Sequence, residues 1–153
     1  MAMNNLSKGM IAGMCAALLT GVLDQLLHGS GGLGGVDVFS LTMLVSRPVI
    51  GVETTAPAWL TCAAIGAVLY GSTFALLFNR LPGQAAVWRG IVFALAIWLG
   101  LMLVIMPATG AGAFGLNIGY GTPWLTFGTH VFFGIALGAM YRRLKPARLQ
   151  DHR

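Results

Sequence analysis

Four stretches of this chain, residues 9–27, 57–78, 90–106 and 123–141, are apolar for close to the length of a bilayer crossing, and nearly every charge falls between or beyond them. A helix needs about 20 mostly apolar residues to cross the hydrocarbon core, within a range of about 17–25. The third stretch is the shortest. Pro57, Pro82, Pro107, Pro123 and Pro146 stand at or just outside the ends of these stretches, where proline is tolerated or stops a helix. Only 8% of the 153 residues are charged and 57% are hydrophobic, whereas a soluble domain is about 25% charged. So little polar surface cannot cover a soluble fold. The expected fold is all-α and integral to the membrane: one domain, residues 1–153, forming a four-transmembrane-helix bundle with a basic tail over 142–153.

The charges orient this bundle. Lys8 precedes the first stretch, Arg80 and Arg89 lie in the link between the second and third, and Arg142, Arg143, Lys145, Arg148 and Arg153 follow the fourth. Of nine Lys and Arg residues, only Arg47 belongs to the other side, with Asp37 and Glu53. The positive-inside bias places both termini in the cytoplasm. The first stretch has a basic start and an apolar core, but it lacks a small-residue cleavage site, so it reads as a retained helix. The net charge of +5 is explained by topology. No zinc-finger spacing, RNA-binding aromatic motif or long basic helix points to nucleic acid. The tail RRLKPAR is a topology anchor at the level of anionic headgroups.

The outer loops are unusual. The first begins HGSGGLGG; Asp37 then serves as the N-cap of a short interfacial helix ending near Ser46, before Pro48. The other, PATGAGAFGLNIGYGTP, is uncharged and rich in glycine, and is expected to pack on the outer mouth of the bundle. The two halves also resemble one another: KGMIAG (8–13) matches RGIVFA (89–94), and AWLT (58–61) matches PWLT (123–126). This pattern fits a parallel repeat of two helical hairpins.

Membrane helices associate through small residues that let backbones approach. Small-xxx-small ladders run through Gly9, Gly13, Ala17 and Gly21, through Ala63, Ala67, Gly71 and Ala75, and through Thr126, His130, Gly134 and Gly138. Four-residue spacing keeps each ladder near one helix face. The faces suit self-association as a homo-oligomer or docking on a larger membrane complex. Cys15 and Cys62 sit near opposite ends of their segments, which argues against a disulfide, and each reads as a small buried hydrophobe.

The polar candidates are Asp24, His28, Asp37 and His130. Asp24 lies roughly 23 Å along its helix from the basic boundary and His130 roughly 18 Å, about one turn apart in depth. If the first and fourth helices are neighbours, the two side chains can meet. Three readings follow. One is an Asp–His clamp between helices, worth about 0.6–2 kcal/mol. A second is a haem or metal site built on His28 and His130, with Met43 or Met106 as soft ligands. A third is a proton or small-solute path through Asp24 and His130 in an oligomer. No zincin motif, nucleophile elbow or phosphate loop is present, so an enzyme is not expected. Most of Trp59, Trp88, Trp98 and Trp124 fall near predicted boundaries, as in an aromatic belt, with Trp98 deeper.

KGMIAG, VDVFSLTML, LFNRLPG, VIMPATGAGAFG and HVFFGIALGAMY, in that order from about Lys8 to Tyr141, give the chain a family likeness. It resembles a family of small bacterial inner-membrane proteins of unknown function. That resemblance implies a four-helix inner-membrane protein, with Asp37, His130 and the MPATGAGAFG loop on recurring positions. It also implies a histidine where this chain has Cys62, which would leave a paired-histidine site incomplete here. It brings no activity. The working expectation is a non-enzymatic accessory or scaffold subunit without a cofactor, embedded in the lipid bilayer.

Overall fold

A computed structural model describes residues 4–29, 55–108, 110–117 and 119–145. The interfacial helix expected after Asp37 and the tail from 146 onward lie outside the described residues. Helix α1 is Asn5–Gly29. Its start is set by Asn4, whose Oδ1 accepts from the Ser7 N–H at 2.7 Å, satisfying one of the amides that open a helix. Helix α2 spans 55–77 and consists of Thr55–Ala64, a π-helical segment Ile65–Gly71, and Ser72–Leu77. Helix α3 spans 86–108, with a second π-helical segment at Leu101–Ile105. Helix α4 is Thr122–Leu144, with proline in its first turn and Arg142 and Arg143 in its last, where cations complement the helix dipole. No strand occurs among the described residues.

These four helices are long and apolar enough to cross a membrane, over Asn5–Leu26, Trp59–Leu77, Ala86–Ala108 and Thr122–Leu144. The third is longer than expected, because Arg89 lies inside its first turns rather than ending it. Its guanidinium folds back, donating from Nε to the Gly83 carbonyl at 2.7 Å and from Nη1 to the Phe78 carbonyl at 3.0 Å. These bonds close the α2–α3 link. Gly83 adopts φ +108°, a conformation only glycine takes readily, and a β-carbon there would strike the Trp88 ring.

The helices form two pairs held at backbone distance. In the α1–α2 pair, a β-carbon added to Gly13 would collide with the Gly66 carbonyl and sit 2.6 Å from the Gly71 Cα, while one on Gly9 would meet the Gly71 carbonyl and the Ala75 methyl. In the α3–α4 pair, Gly90 faces the Gly134 carbonyl and Gly138, and Gly138 faces the Ala86 carbonyl. Contact this close maximises dispersion attraction, the main source of helix affinity in lipid. Helix α1 also packs on α4. Between the pairs lies an aromatic core. The Phe74 ring is fully buried, with centroids 5.4 Å from Phe93, 5.4 Å from Tyr141 and 5.5 Å from Phe78.

The α2 ladder needs correction. Ala63 and Ala67 are half-buried, and the close contacts with α1 are made by Gly66 and Gly71, following Cys62. The π-helical segment widens the turn, so the buried face advances by five residues from Gly66 to Gly71 instead of four. A strict four-residue ladder therefore leaves the interface before Gly71, at Ala63 and Ala67, while Gly71 and Ala75 stay in contact with α1. The ladders on α1 and α4 lie where expected: Gly9, Gly13, Ala17 and Gly21 are all buried, as are Gly134 and Gly138.

Candidate functional site: polar groups buried between the helices

Helix α1 buries two adjacent rows. Gly9, Gly13, Ala17 and Gly21 form one; Ala12, Ala16, Thr20 and Asp24 form the other. Asp24 thus ends a row of its own, beside the glycine ladder. It is 1% exposed, the only acidic side chain among the described residues and fully enclosed. Thr20 below it donates to its own helix at the Ala16 carbonyl, 2.9 Å away. Across the α1–α2 contact, the Trp59 ring would lie 2.9 Å from a β-carbon on Gly21, with the Cys62 sulfur at 3.8 Å. The Cys62 thiol points at the Ala17 carbonyl, 3.6 Å away. Both cysteines are free thiols.

A second polar group lines α4. His130 Nδ1 lies 2.7 Å from the Thr126 carbonyl, which also accepts from Thr129 Oγ1 at 3.0 Å. Since a carbonyl only accepts, Nδ1 carries the proton and Nε2 is the nitrogen left to face other groups. Thr126 Oγ1 accepts from Trp98 Nε1 at 3.2 Å and donates to the Thr122 carbonyl at 2.8 Å. Trp98, the deepest tryptophan in the expectation, is thereby tied across the α3–α4 contact. Its ring also meets Phe127 edge-on at 5.3 Å and Phe114 at 5.9 Å. Phe114 takes φ +57° in the glycine-rich link, so this uncharged loop turns inward onto the mouth of the pair. Thr122 is fully buried, and its hydroxyl has no hydrogen-bond partner among the described residues.

Of the four expected polar residues, Asp24 and His130 have described side chains: Asp24 is enclosed on α1, and His130 bonds the Thr126 carbonyl of its own helix. The His28 backbone closes α1, but its side chain lies outside the described residues, as do Asp37 and Met43. Met106 packs with its sulfur beside Gly115 and Thr122. Thr122 is eight residues from His130 along α4, about 12 Å. Among the described residues, no three His, Cys, Asp or Glu side chains gather as a metal set. Sequence reasoning missed Cys62 and Gly90. The signal for Gly90 was present, since it follows Arg89 as Gly9 follows Lys8.

With this geometry in place, comparison with known proteins adds one match. A family model covers residues 3–152. The chain belongs to DUF6789, a family of unknown function. The DUF6789 match takes in all four helices and the links between them. No curated protein and no solved structure matches it.

Proposed function

We infer that this member of DUF6789 is a multi-pass protein of a bacterial inner membrane, with both termini cytoplasmic, acting as a non-enzymatic accessory or scaffold subunit. It requires no cofactor in this reading, and it works as a homo-oligomer or docked on a larger membrane complex. One observation carries the choice over a conduit. The inner half of the bundle is filled by Phe74, Phe78, Phe93 and Tyr141, with centroid separations of 4.8–5.5 Å. This aromatic plug lies between Asp24 and the basic end, and among the described residues no carboxylate or histidine stands at its level to relay a proton inward. The matched roles of Gly9 and Gly90, each following a basic residue and each meeting a glycine of the next helix, support two hairpins in parallel repeat.

The test is reconstitution into vesicles carrying an internal pH dye under an imposed potential. A scaffold gives the proton leak of protein-free vesicles. A leak that rises with protein and disappears in Asp24→Asn would assign the chain to proton conduction and refute the scaffold reading. Asparagine keeps the shape and most hydrogen bonds of aspartate but cannot relay a proton, so stability alone does not produce that result.

A further inference from the structure

Three cations meet at the basic end of the bundle: Lys8 on α1, Arg89 on α3 and Lys145 just past the end of α4. Lys145 Nζ lies 4.1 Å from the centre of the Phe78 ring and 5.1 Å from that of Tyr141. The Arg89 guanidinium carbon lies 4.6 Å from the same Phe78 centre. The two charges are therefore within about 9 Å of each other, near one Debye length at physiological salt. Lys8 of α1 is close enough to add to the field at Lys145.

Nothing among the described residues balances this charge. Asp24, the sole described carboxylate, is 16 residues along α1 from Lys8, about 24 Å. An aromatic face attracts a cation but leaves its charge uncompensated. Burial, then Arg89, then Lys8 hold the Lys145 ammonium below the ordinary lysine value, as expected of a cation crowded by like charge. Arg89 spends Nε and Nη1 on the Gly83 and Phe78 carbonyls. These bonds fix the guanidinium plane and leave Nη2 for an external acceptor. The site lies where α3 begins and α4 ends, at the level of the lipid headgroups if the four helices cross a bilayer.

We propose that Arg89 and Lys145, held against the Phe78 ring with Lys8 beside them, bind the phosphate of an anionic phospholipid headgroup. Phosphate offers oxygens on several sides and accepts charge-assisted N–H bonds of about 2.7–2.9 Å from Lys or Arg. The exposed Arg142 and Arg143 contribute only the general attraction of a basic segment for an anionic leaflet, about fivefold per residue. The proposal rests on the membrane placement of the helices.

The full chain in a neutral detergent, mixed with phosphatidylglycerol or with phosphatidylcholine of the same acyl chains, is read by native mass spectrometry. One retained phosphatidylglycerol is expected, preferred over phosphatidylcholine. Arg89→Gln and Lys145→Gln should each lower retention about tenfold or more, and Lys145→Arg should restore it. Arg142→Gln and Arg143→Gln should cost no more than about fivefold. Equal losses from all four glutamine variants would reduce the effect to general basicity and overturn the site. Displacement of the lipid by inorganic phosphate at equal concentration would assign the site to a soluble anion and overturn the lipid assignment. Strong lipid retention gained only on Asp151→Asn would identify the tail carboxylate as the native occupant and likewise overturn it. Thermal unfolding of each variant in the same detergent separates lost binding from lost fold. Alkaline washing of membranes tests the premise: a protein washed off refutes the membrane placement, whereas one that stays and retains no phosphatidylglycerol refutes only this proposal.

Discussion

The π-helical register of α2 can be tested with a pair of adjacent substitutions, Gly66→Leu and Ala67→Leu. A straight α-helix carrying the 63/67/71/75 ladder would turn Ala67 toward α1. The structure turns Gly66 there instead, with its β-position in collision with the Ala17 methyl and 2.7 Å from the Gly13 carbonyl. One of these obstacles is backbone, so leucine at 66 must part α1 from α2. Overpacking of a close contact costs about 1–3 kcal/mol, and the loss of neighbouring glycine contacts places this case near the top of that range, about 3 kcal/mol. Leucine has the better helix propensity by about 1 kcal/mol, which leaves a net loss of about 2 kcal/mol. Ala67 is half-buried and meets no such obstacle, so Ala67→Leu should stay within about 0.5 kcal/mol of the parent. Equilibrium unfolding in mixed micelles, followed by circular dichroism, measures both. A loss for Ala67→Leu equal to or greater than that for Gly66→Leu would refute the shifted register.

Three further outcomes are expected. Thr122→Val removes a buried hydroxyl that has no partner among the described residues while nearly keeping the side chain's shape, and should stabilise the bundle by about 1–2 kcal/mol in the same unfolding assay. Tyr141→Ala empties the centre of the aromatic core, where the ring is 1% exposed, and should cost about 3–5 kcal/mol, whereas Tyr141→Phe should cost less than about 1 kcal/mol. Because Lys145 is held below the ordinary lysine value of 10.5, the unfolded chain binds its proton more tightly than the folded one. Lipid-free protein should then gain stability as pH rises from the lowered folded value toward 10.5, and Lys145→Gln should flatten that slope in a pH series of thermal unfolding.

Much of the fold was legible because membrane helices announce themselves by length and by the absence of charge. The ends of α1, α2 and α4 fall within a few residues of the expected boundaries, and the α1 and α4 ladders were readable because their helices keep an ordinary α-helical turn. The start of α3 was misjudged at Arg89, since a charge normally marks the edge of a span. Here the Gly83 and Phe78 carbonyls and the Phe78 ring accept the guanidinium, a solution that depends on how the preceding link folds back. The α2 interface was hidden for a different reason: composition does not announce where a helix widens to five residues per contact. The site was less legible than the fold. Depth along the axis placed Asp24 and His130 at similar levels, but depth says nothing of azimuth. It was the Ala12–Ala16–Thr20–Asp24 row, visible in the spacing yet overshadowed by the glycines, that set which way Asp24 faces.

The two kinds of contact in this bundle differ in stiffness. Where Gly13 meets Gly66 and Gly90 meets Gly134, backbone rests on backbone, and sliding by even a fraction of a turn would drive a side chain into a carbonyl. Each hairpin therefore moves as a rigid blade. The seam between the blades is made of rings and long side chains, which can change rotamer while staying in contact. A rocking of one hairpin against the other about the Phe74–Tyr141 contact would leave both backbone contacts intact, with the α2–α3 link as the strap between them.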